Sequence, residues 1–92
     1  MYTIKETLEY IQSLGDWGDF IDEWSVVDRT AIVWSEEVEN KTTTAPWRTA
    51  YLVRYWEKDE WVDTRSFYLP ESALDFARDF VNQPHRLPYP TD

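Results

Sequence analysis

The sequence predicts an α+β domain in the order α-α-β-β-β-α: a three-stranded antiparallel meander with helices packed on one face. Three observations lead there. Apolar residues recur at helical spacing through the first 24 positions, β-branched and aromatic residues dominate from Val26 to Leu69, and a last helical stripe follows Pro70.

Each element has a local reason. Thr3-Ile-Lys-Glu6 reads as a capping box, and Ile4, Leu8, Ile11 and Leu14 repeat on one face of a helix over 4–14. Gly15 suits the left-handed residue that ends such a helix. In GDWGDFIDEW, Trp17, Phe20, Ile21 and Trp24 fall at i, i+3, i+4 and i+7, so a second short helix is expected there with Asp16 as N-cap. Its acids Asp16, Asp19 and Glu23 would then look outward, with Asp22 on the flank. Gly18 weakens this helix by about 1 kcal/mol, and a structured loop satisfies the same pattern. The run AIVWSEEV (31–38) is the first strand, and the polar stretch 40–46 is a loop closed by Pro46. Residues 47–57 and 61–69 form a hairpin around Glu57-Lys-Asp-Glu60. Whether its loop has two or four residues, Trp56 lies opposite Trp61 and Arg54 beside Asp63. Pro70 opens the final helix, whose apolar face is Ala73, Leu74, Ala77, Phe80 and Val81. Residues 1–83 make one compact domain, and 84–92 form a Pro-rich tail. The expected core is one cluster of Leu8, Ile11, Trp17, Phe20, Trp24, Tyr51, Val53, Leu74, Ala77 and Phe80.

The hairpin has two unlike faces. Trp47, Thr49, Tyr51, Val53 and Tyr55 carry no charge and should pack under the helices. The other face would leave Arg48, Arg54, Trp56, Trp61 and Arg65 exposed together.

Charge is the strongest compositional signal. The chain carries a net −9, and residues 1–40 hold ten acids against two bases, a balance of −8. Such a field repels nucleic acid and anionic membranes and attracts basic surfaces. There are no cysteines and one histidine, which leaves no ordinary zinc site and no disulfide framework. Asp16, Asp19, Asp22 and Glu23 lack the Ca²⁺-loop pattern, so no metal or other cofactor is expected. His85 stands between Pro84 and Arg86 in the tail, with nothing in the sequence to set it against a nucleophile. The sequence holds no phosphate-cradling Gly-rich motif. Arg86-Leu87-Pro88-Tyr89-Pro90 fits a polyproline ligand, but such matches are common by chance and a disordered or packed tail is the default reading. Asn40-Lys41-Thr42 matches a glycosylation sequon that, without a secretion signal, is read as a chance match. No apolar signal segment opens the sequence, which is read as cytoplasmic.

These features favour a non-catalytic binding protein over an enzyme. Its partner would be a protein with a basic surface, such as a nucleic-acid-binding protein, met by Asp16, Asp19, Asp22, Glu23, Glu36, Glu37 and Glu39. Carboxylates at helical spacing imitate the spacing of phosphates, which suits an inhibitor or nucleic-acid mimic. In size and charge the chain resembles the small acidic α/β inhibitors that phages encode against host defence, anti-CRISPR proteins among them. The alternative is an accessory subunit or assembly factor bound through Arg48, Arg54, Trp56, Trp61 and Arg65. A solvated, solubilising surface explains the same acids.

Overall fold

The computed structural model describes residues 2–39 and 46–83. Helix α1 (Ile4–Ser13) opens as the capping box requires: the Glu6 amide donates to Thr3 Oγ1 at 3.0 Å and the Thr3 amide to Glu6 Oε1 at 3.3 Å. Gly15, at φ 59°, turns the chain out of the helix. A single 3-10 turn, Gly15–Trp17, leads into a four-stranded sheet: β1 (Gly18–Val26), β2 (Arg29–Glu39), β3 (Trp47–Glu57) and β4 (Glu60–Phe67). The strands follow one another in the order β1-β2-β3-β4, all antiparallel. Helix α2 (Pro70–Asn82) begins on its proline as expected.

The expected second helix does not form. Its residues are β1, so the meander has four strands rather than three. A bulge reconciles the helical spacing with a strand. Phe20 pairs with Trp34 and Asp22 with Val33, which leaves Ile21 as the extra residue. Phe20 therefore lies on one side of the sheet, while Ile21 and Trp24 reach the apolar cluster on the other.

The helices do not share a face either. Ala31 and Val33 of β2 and Val53 and Tyr55 of β3 meet Ala73, Ala77 and Val81 of α2. Their neighbours Ile32, Trp34 and Trp56 meet Ile11 of α1 on the opposite side. The result is a three-layer α/β/α arrangement with two cores, not one cluster. The cause is legible in β2, whose run Ala31-Ile-Val-Trp34 is apolar at both parities and is buried on both faces. Trp34 and Trp56 are fully buried, each removing on the order of 150–250 Å² from water. Of the ten residues expected in the core, Ile11, Val53 and Ala77 are buried, while Trp17 and Phe20 are exposed. The other five are half-buried.

The β3–β4 hairpin turns through Lys58 and Asp59, both at positive φ. Trp56 does pair with Trp61. One residue later the register shifts, so Arg54 faces Thr64 and Asp63 faces Tyr55. Val62 is the residue left over, and it moves Asp63, Arg65 and Phe67 to the α2 side of the sheet.

Candidate protein-binding surface

The acidic residues occupy three different settings. Asp16 sits in the 3-10 turn, and Asp19, Asp22 and Glu23 lie on β1, an outer strand of the sheet. Register places Asp19 (opposite Ser35) and Asp22 (opposite Val33) on the α2 side, and Glu23 (opposite Ile32) on the α1 side. They flank an edge from above and below instead of lining one helix face. None of the four has an ion-pair partner among the described residues, whereas Lys5–Glu9, Arg29–Glu57 and Asp75–Arg78 are paired.

Glu36 is half-buried and joins α1 to β2. Tyr10 Oη donates to both of its carboxylate oxygens, at 2.8 and 2.9 Å, and the indole of Trp34 donates to Oε1 at 2.9 Å. Burial first, and then the bond to Glu36, push the Tyr10 hydroxyl up to about 12. Glu37 accepts from Thr49 Oγ1 at 2.8 Å, and Glu39 is exposed opposite Trp47. Glu37 and Glu39 share the parity of Ala31 and Val33 and lie on the α2 side, while Glu36 lies on the α1 side.

Next to Glu37 and Glu39 is an aromatic pair that the sequence placed elsewhere. Trp17 and Trp47 contact each other with ring centroids 5.4 Å apart and planes at 52°. They are 56% and 51% exposed. Phe20, also on β1, is 49% exposed. Periodicity assigned Trp17 and Phe20 to a core, because a stripe in sequence does not reveal which strands will lie beyond it.

The alternative surface is dispersed by the fold. Trp56 is buried under the start of α1, where its indole donates to the Tyr2 carbonyl at 2.9 Å. Arg65 stands on the opposite side of the sheet with its guanidinium 5.2 Å from the Phe76 ring. Arg54 is anchored to Thr64 Oγ1 (2.9 Å) and Thr7 Oγ1 (3.1 Å), 3.8 Å over the Tyr2 ring. Burial lowers its pKa from the usual guanidinium value. Arg54, Tyr2, Glu6 and Tyr10 line a half-open cleft of about 390 Å³. Arg48 lies over Tyr68, and Trp61 packs edge-on against Tyr2.

Among the described residues no group of three His, Cys, Asp or Glu side chains is placed to hold a metal ion, and no helix is long and apolar enough to cross a membrane. His85, the Arg86–Pro90 segment and the Asn40 sequon lie outside the described residues. No family model matches the chain, and neither a curated protein nor a solved structure matches it at a significant level.

Proposed function

We propose that this chain is a non-catalytic binding protein whose acidic β1 edge docks on a basic protein surface. One observation carries the reading: Asp16, Asp19, Asp22 and Glu23 form a run of four acids without an ion-pair partner among the described residues, beside the half-exposed rings of Trp17 and Phe20. Carboxylates supply attraction and orientation, and rings supply area that association can bury. Inhibition of a nucleic-acid-binding protein by occupying its basic surface is the form this docking takes in the proposal.

The test is a comparison of the parent with Asp19→Lys/Asp22→Lys/Glu23→Lys. The parent should retain its partner in native lysate at low salt and release it at about 0.5 M NaCl, where charges are screened within a few ångströms. The triple variant, folded by circular dichroism, should not retain it. A partner held equally by both proteins and at both salt concentrations would remove the acidic edge from the reading.

A further inference from the structure

Four of the five arginines among the described residues share one habit. Arg29, Arg48, Arg54 and Arg65 each place a guanidinium over an aromatic ring, at 5.4, 4.4, 3.8 and 5.2 Å from the centroids of Phe80, Tyr68, Tyr2 and Phe76. Arg78, the fifth arginine of the described residues, is paired with Asp75. The Trp17–Trp47 pair is the converse case: two indoles in contact, each about half exposed, with no cation over either ring among the described residues. Indole is the best of the aromatic faces for a cation.

The surroundings supply the matching charge. Glu39 is the cross-strand partner of Trp47, and Glu37 is two residues away on the same side, bonded to Thr49. Asp16 precedes Trp17 directly, and Asp19, opposite Ser35, lies on this side as well. A side chain seated here meets ring faces and carboxylates together. Lysine satisfies the charge alone, whereas a guanidinium also stacks flat on an indole while its edge N–H groups reach a carboxylate.

We propose that the Trp17–Trp47 pair, with Glu37 and Glu39 beside it, is the seat of an arginine side chain of the partner protein. The inference rests on the acidic-edge reading for the sign of the partner's charge. It adds the residue that the partner must present and moves the centre of the contact from β1 to the rings.

The probes are hexa-arginine and hexa-lysine peptides, titrated into the uniformly ¹⁵N-labelled full chain at low salt. Hexa-arginine should bind on the order of fivefold more tightly than hexa-lysine. It should shift the indole N–H signals of Trp17 and Trp47 and leave those of the buried Trp34 and Trp56 in place. Trp17→Ala and Trp47→Ala replace exposed rings, so both should stay folded. Each should lose that preference while keeping its affinity for hexa-lysine within about twofold. Asp19→Lys/Glu23→Lys should weaken both peptides alike. If both peptides bind equally and the two indole signals stay still, the arginine seat is overturned and the acidic-edge reading stands. If neither peptide binds at low salt, both readings are overturned.

Discussion

Tyr10 links a helix to a strand through a single oxygen. Its residue keeps 40% of its surface exposed, yet its hydroxyl is turned to the Glu36 carboxylate, which also holds the Trp34 indole. A phenol beside a carboxylate resists ionisation, because the phenolate would lose the donated bond and face a like charge. The sign of the linkage follows. The folded pKa is raised from 10.0 to about 12, so this contribution to stability is complete below pH 10 and is lost as pH rises through 12. In a spectrophotometric titration, one tyrosine of the folded protein should ionise near pH 12, and Tyr10→Phe should remove that late step. The parent should also lose denaturant resistance between pH 10 and 12 more steeply than Tyr10→Phe. If the titrations of the parent and Tyr10→Phe show no difference near pH 12, the Tyr10–Glu36 bond does not persist in solution.

At the scale of elements, the junction between α1 and β1 decides whether the first layer closes. Gly18 lies where a Cβ would stand 2.5 Å from the Ser35 carbonyl oxygen and 2.6 Å from Leu14 Cδ1. Backbone cannot yield as a flexible side chain can, so Gly18→Ala should destabilise the fold by about 1–3 kcal/mol in chemical denaturation. Gly15→Ala meets no atom within 4 Å and should cost about 1–2 kcal/mol, through its positive φ alone. Equal stability of Gly18→Ala and the parent would mean that α1 does not seat on β1 this closely. This junction also shows why half of the N-terminal region was legible in the sequence. The capping box, the stripe of α1 and Gly15 are local signals, and they hold in the structure. The β1–β2 turn has no such signal: it runs through Val27 and Asp28, with a β-branched valine at φ 57° where glycine or asparagine would mark a hairpin. Without that mark, and with a bulge at Ile21 that imitates helical spacing, β1 reads as a helix. The acids of the candidate surface could be found by counting charge. The Trp17–Trp47 pair could not, since it depends on β2 lying between β1 and β3.

For the whole molecule, the charge that would draw a basic partner also works against the free fold. A net −9 on 92 residues is self-repelling, and ten of the acids lie in the first 40 positions. Salt screens this repulsion: the Debye length falls from about 30 Å at 0.01 M to about 8 Å at 0.15 M. The free protein should therefore melt higher as salt is added over that range, while a complex held by opposite charges weakens. Asp19→Lys/Glu23→Lys separates the two effects. Both positions are exposed on the edge strand, so the change acts mainly through the field. Surface charge interactions of this kind are worth about 0.2–1 kcal/mol each, so the two changes correspond to a rise of roughly 2–16 °C at low salt for a domain of this size. The variant's melting temperature should also depend less on salt than the parent's. Stability gained together with lost affinity for a basic partner is the signature of residues kept for docking at the expense of the fold. A variant that melts no higher than the parent at low salt would show that the acids of β1 exert no such strain, and the trade-off would fail.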